Sequence, residues 1–268
     1  MRLKALIAVH LVIGVCPAAT HSLSVYFRFR PFLCASVIHP VIQSVTFAQL
    51  MLLSFWVAMG TSREGRRLVG MLLATLYIAM WLMVGNRLDR VPANMILDMF
   101  GLELKMVVVF TGVFLGIRRW KADLRCFPDP AAFPRPTGLQ FSLLHLLVIV
   151  SVVAIILALV RSIRTATGEE IGWYPVLESL FWMFAYLINL LGAVWAVLSV
   201  GRPGLRILLV ILIAAILAAS GYFATWRGRL IDWWLLSALT VTHVAATAIV
   251  VVSLLVVRSC GYRLVPKT

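Results

Sequence analysis

The side chains best suited to move a proton or hold a polar ligand lie inside apolar runs. His243 is the foremost, in Thr240-Val-Thr242-His243, with Thr247 four residues on and so on the same helical face. Asn189 stands at a similar depth in another apolar run, and Glu178 lies one turn inside the start of that run. Together they define a candidate ligand or proton site, because ionisable groups inside a membrane are costly and mark function by default. A hydrogen bond between helices, worth about 1 kcal/mol or less in lipid, accounts better for His243 and Asn189, since no charged residue shares their depth. Glu178 can reach the interface, where Arg161 or Arg164 would meet it as a solvated or snorkelled charge.

Other polar groups carry less. Asp98 and Lys105 are seven apart and share a helix face, with Glu103 turned away. They would line a polar outer vestibule or mark a helix lying on the membrane surface, and the surface is the expected place. His10 and His145 sit on apolar faces as packing residues. Glu169 and Glu170 are adjacent, so their side chains diverge and make no acid/base pair. The sequence contains no HExxH, GxSxG, P-loop or GxGxxG. Cys16, Cys34, Cys126 and Cys260 show no metal-ligand spacing. No catalytic residue, metal or cofactor is therefore expected, and an enzyme is the least supported class.

The elements that must position these groups are set by composition. Hydrophobic residues make up 62% of the 268, charged residues 13%, and the mean hydropathy is +1.01. A soluble domain carries about 25% charged residues, so the surplus apolar surface requires lipid. The net charge of +14 does not indicate nucleic acid, because the cations fall between apolar runs, where cytoplasmic loops need them.

Runs near the 20 residues needed to span a bilayer occur at 5–20, 41–60, 68–85, 97–117, 141–160, 175–199, 207–225 and 233–257. They predict an all-α polytopic bundle of about eight transmembrane helices. The first run, behind Arg2 and Lys4 and before Pro17-Ala18-Ala19, fits a retained helix better than a secretory signal. With the N-terminus inside, the inner segments hold 15 Lys and Arg and the outer loops 8, with Lys105 within a run. That bias places both termini in the cytoplasm of an inner-membrane protein. Trp173, Tyr174, Trp226, Trp233 and Trp234 then form an outer aromatic belt.

Shifted by 139 positions, WVAMGTSREGRRLVGMLL (Trp56–Leu73) lies over WAVLSVGRPGLRILLVIL (Trp195–Leu212) without a gap. Trp meets Trp, and both turns read Arg-x-Gly-x-Arg. The pattern is that of a four-helix unit used twice in one orientation, a parallel repeat; arginine and glycine are also common in short cytoplasmic turns, which leaves coincidence open. The organisation expected is a first unit over 1–117, a basic, Pro-rich cytoplasmic linker over 118–140, and a second unit with a short tail over 141–268.

Gln140-Phe141-Ser142-Leu143-Leu144-His145-Leu146-Leu147 resembles the FSLR-x-LL opening before membrane helices in a family of multi-pass proteins from planctomycete bacteria, with Leu144 where arginine is usual. Cys260-Gly261-Tyr262-Arg263-Leu264 is similar to the basic tails of the same proteins. The resemblance implies a multi-pass bacterial membrane protein and brings no activity with it.

Two functions remain. One is a structural or partner-binding membrane subunit, which uniform spans and short loops favour; its partners would be the bilayer and a membrane protein or a second copy. The other is a small secondary carrier or pore with its polar site near Asn189 and His243. A cavity at those residues would favour transport, and a filled interface a subunit. The orientation predicts that Cys126 reacts with an impermeant thiol reagent in inverted vesicles and not in intact cells; labelling from outside would reverse the topology.

Overall fold

Long apolar stretches without interior proline leave the backbone one economical solution in lipid, the α-helix, which satisfies its own hydrogen bonds. The computed structural model describes residues 2–13, 15, 39–60, 64–88, 93–120, 122–126, 174–199, 203–225 and 232–266. Among these described residues seven helices run in chain order: α1 Arg2–Ile13, α2 His39–Met59, α3 Glu64–Leu88, α4 Ala93–Trp120, α5 Tyr174–Leu198, α6 Gly204–Thr225 and α7 Trp233–Ser259. Four segments, Pro40–Met59, Leu180–Leu198, Gly204–Phe223 and Trp233–Ser259, are long and apolar enough to cross a membrane. The expected run 141–160, with His145, and the pair Glu169 and Glu170 lie outside the described residues.

The fold is overwhelmingly helical, as the all-α expectation has it, with one small ribbon added. β1 (Ala122–Cys126) follows α4 and β2 (Tyr262–Pro266) follows α7, and the two pair antiparallel. Ala122 faces Pro266, Leu124 faces Leu264, and Cys126 faces Tyr262. ADLRC alternates apolar and polar residues in the period of a strand, and YRLVP does so over Tyr262–Leu264. An isolated two-stranded pair is marginal in water; here each strand grows from a fixed helix, and Tyr262 and Leu264 pack on the main core.

At the centre α2 and α5 meet where Phe47 stacks on Tyr186 with ring centroids 4.5 Å apart. On α2, Phe55 meets Phe114 of α4 edge-on at 5.4 Å. α7 packs along both α2 and α5, α6 covers α5 and α7, and α3 lies on α2. Leu72, Leu73 and Leu76 of α3, like Leu205, Leu208 and Leu212 of α6, are exposed, as lipid-facing residues would be.

Several hydroxyls inside are bonded locally. Ser54, Thr242, Thr247 and Ser253 donate to carbonyls four residues back, the usual arrangement for hydroxyls in apolar helices. The last carbonyls of α2 and α5, which have no partner within their helices, accept from arginines of other helices. Arg67 Nη1 donates to Val57 O at 2.7 Å and Ala58 O at 3.0 Å. Arg118 Nη1 donates to Ala58 O at 2.9 Å and Gly60 O at 3.5 Å. Arg258 Nη1 donates to Val197 O and, at 3.0 Å, to Ser199 O. At the opposite end, Asp232 caps α7 through Trp234 and Leu235 N–H. Gly261, at φ 90°, takes the left-handed conformation that turns α7 into β2.

Directly opposed residues of an antiparallel pair have Cα atoms about 4.5–5.5 Å apart, within disulfide range. With the four native cysteines replaced by serine, Leu124→Cys/Leu264→Cys is expected to cross-link on mild oxidation. The offset pair Leu124→Cys/Tyr262→Cys is expected to lag well behind. Peptide mass spectrometry reads both, and equal yields would show the register to be wrong.

Candidate functional site

His243 on α7 and Asn189 on α5 are brought together, each 1% exposed. The Asn189 side-chain amide and His243 Nδ1 lie 3.3 Å apart, a hydrogen bond between α5 and α7. The imidazole stacks on Tyr186 at 4.2 Å and 11° between planes, and Trp182 lies 5.2 Å away at 35°. Phe47, Tyr186, His243 and Trp182 thus form a row of four rings from α2 across α5 to α7. Its outer end is seated on Gly221 of α6, where a Cβ would lie 2.4 Å from both Phe181 Cε1 and Trp182 Cη2. Only glycine admits those rings against the α6 backbone.

Such a site holds a hydrogen-bonded imidazole in an aromatic interface. Asn189 Oδ1 is buried with no hydrogen-bond partner among the described residues. The amide is therefore half used, and the site's one unmet polar demand sits there.

Glu178 is not part of this cluster. Its backbone lies in the second turn of α5, eleven residues and so roughly 16 Å along the axis from Asn189, and its side chain is outside the described ones, as is that of Asp98. The expectation of a surface-lying charge cluster is corrected at Glu103, which is 6% exposed, while Lys105 is exposed. Successive helical residues turn by 100°, so these two face opposite ways. Glu103 shares its face with the buried Met106, Phe110 and Phe114, a spacing visible in the sequence.

Sequence reasoning also left Trp182 and Tyr186 unread, though with Asn189 they recur at four and three residues, one face of α5. His10 does more than pack. Its Nε2 bonds Ser253 Oγ at 2.9 Å, its carbonyl accepts from Gln49 Nε2 at 2.7 Å, and the next carbonyl, of Leu11, accepts from Tyr77 Oη at 2.6 Å. The end of α1 is thereby held by α2, α3 and α7. No group of three or more His, Cys, Asp or Glu with metal-holding geometry occurs among the described residues. Comparison with known proteins finds no matching family model, no matching curated protein and no matching solved structure.

Replacing His243 separates its two roles. His243→Phe keeps the ring row and is expected to stay within about 1 kcal/mol of the parent, roughly the worth of one interhelical bond. His243→Ala opens a cavity and is expected to cost about 3 kcal/mol. Unfolding in detergent micelles measures both; equal losses would mean the hydrogen bond, not the stacking, is what the residue supplies.

Proposed function

We propose that the chain is an integral membrane scaffold, a structural or partner-binding subunit without catalysis of its own, built from two parallel four-helix units within a bundle of about eight spans. The observation that carries this reading is the filled ring row Phe47–Tyr186–His243–Trp182 at the place where a carrier would need a cavity. The ribbon adds to it. By tying the ends of α4 and α7 together it opposes the rocking of one unit against the other on which alternating access depends.

Several geometric correspondences support the doubling. α2 ends at Met59 and α5 at Leu198, 139 positions apart; α4 starts at Ala93 and α7 at Trp233, 140 apart. β1 and β2 are likewise 140 apart. Arg118 bonds the carbonyls of residues 58 and 60, and Arg258 those of 197 and 199, the same pair 139 positions on. A two-fold axis brings equivalent residues of two copies face to face where it passes between them. Phe47 stacks on Tyr186, 139 positions apart, and Leu124 opposes Leu264, 140 apart. Both contacts are of that self-matching kind, one mid-bundle and one at the end.

The symmetry is incomplete. α7 runs along α2, whereas α4 touches α5 at few residues. His243 corresponds to Glu103, and Asn189 to Leu50, so the polar pair belongs to one half alone.

Two measurements test the scaffold reading. In mild-detergent extracts the chain is expected in a complex larger than its 29.8 kDa. Vesicles containing the purified protein are expected to hold an imposed pH gradient as long as empty ones. A leak that His243→Phe abolishes would overturn the scaffold in favour of a carrier.

A further inference from the structure

Glu103 is a buried carboxyl, 6% exposed, that neither the ring row nor the helix ends employ. Among the described residues no hydrogen bond or ion pair reaches it, and no neighbouring charge acts on it. Its surroundings follow from one contact cluster. Leu50 of α2, Ile78 of α3 and Val107 of α4 are buried together, with Phe47 and Tyr77 packed on them. α2 and α3 run in opposite directions: Arg67 bonds the carbonyl of Val57, and a Cβ on Gly70 would lie 3.1 Å from the Trp56 ring. α4 runs with α2, since Phe55 meets Phe114 on the Arg67 side of Leu50 and Val107. One helical turn from the cluster, away from the Arg67 end, Thr46, Trp81 and Glu103 therefore share a level. Thr46 is 5% exposed, and Trp81 Nε1 is a buried donor with no hydrogen-bond partner.

Among the described side chains no cation faces the carboxyl. α2 carries no charge from Pro40 to Met59, and α3 none from Leu68 to Asn86. Tyr77, the titratable group on that stretch of α3, donates to Leu11 O. Tyr186 of α5 is stacked between Phe47 and His243. Lys105 is exposed on the opposite face of α4, and the side chains of Arg87, Asp98 and Glu178 are outside the described ones. An isolated carboxylate out of water costs far more than a neutral acid, so such a group takes up a proton instead. The Trp81 N–H, a donor only, suits the acid's carbonyl oxygen, and the Thr46 hydroxyl can accept the acid's own proton.

The structure assigns to Glu103 a proton-binding site at the junction of α2, α3 and α4. Its ligand is a single proton, held as a carboxylic acid in an apolar seat. Access comes along the α3–α4 seam: α3 touches α4 at few residues, whereas α6 lies along α7. A lipid-soluble reagent can follow that seam, and a charged, water-soluble one is kept out by the cost of entering an apolar medium. The site goes beyond the scaffold reading and does not depend on it, since binding a proton requires no path across the membrane.

Dicyclohexylcarbodiimide tests the site on the full chain in mild detergent. The acid proton moves to one carbodiimide nitrogen while the carboxyl oxygen bonds the central carbon. The acyl group then shifts from oxygen to nitrogen, giving a stable N-acylurea with nothing released. Peptide mass spectrometry is expected to place that adduct on Glu103, with a rate that falls about tenfold per pH unit once the acid ionises. A charged, water-soluble carbodiimide is expected to reverse the pattern, modifying Asp232, which is exposed at the cap of α7, and sparing Glu103. Glu103→Gln, with the acid's shape and no charge, is expected to lose the adduct entirely and to melt no lower than the parent. Glu103 left unlabelled at every pH, labelling by both reagents alike, or a Glu103→Gln melting temperature well below the parent's would each overturn the proposal.

Discussion

Much of this structure follows from the need to satisfy helix ends in an apolar medium. A helix leaves its last four carbonyls without internal partners, and burial among other helices keeps water from them. α2 and α5 are the two most enclosed of the apolar segments, with 61% and 72% of their spans buried against 28% for α6. Their ends therefore need donors brought by neighbours. Arg67 and Arg118 serve α2, and Arg258 serves α5, with Arg206 at Ser199 beside it. Each donor belongs to a different helix, so one hydrogen-bonding requirement fixes the relative height of α3, α4, α6 and α7. Lysine would not replace these residues readily, because the guanidinium is less strongly hydrated than an ammonium and holds its donors in a fixed plane.

How much of this was legible depended on length. Apolar runs of twenty residues announce themselves, and four of the helices found among the described residues are long and apolar enough to cross a membrane. The ribbon was not legible: five alternating residues beside a proline-rich segment carry too little periodicity to stand out, and pairing across the whole chain leaves no local trace. The His243–Asn189 bond was readable because both are polar and lie in the middle of apolar runs. Glu103 misled because its charged neighbours at Asp98 and Lys105 drew it to the surface, while its face with Phe110 and Phe114 placed it inside. The ring partners of His243 were readable in principle from the spacing of Trp182, Tyr186 and Asn189. Gly221 was not, since what it accommodates arrives from another helix.

On the two-unit reading, the halves share a frame and differ in chemistry. The same pair of carbonyls is held by an arginine in each, while the mid-membrane polar pair occurs once. Geometry set by backbone satisfaction tolerates no drift, whereas a buried side chain can change from Leu50 to Asn189, or from Glu103 to His243, if its own surroundings adjust. The ends of the helices therefore preserve the likeness that the middles have lost.

The ribbon also sets a clock. β1 emerges from the ribosome about 140 residues before the strand it pairs with, and at 5–20 residues per second it waits roughly 7–28 s. In that interval α5, α6 and α7 must enter the membrane, since β2 comes last. An unpaired edge held open this long is exposed to other chains, and in a crowded membrane the β1 of one nascent protein can meet the β2 of another. Closure within one chain and exchange between two thus use the same hydrogen bonds.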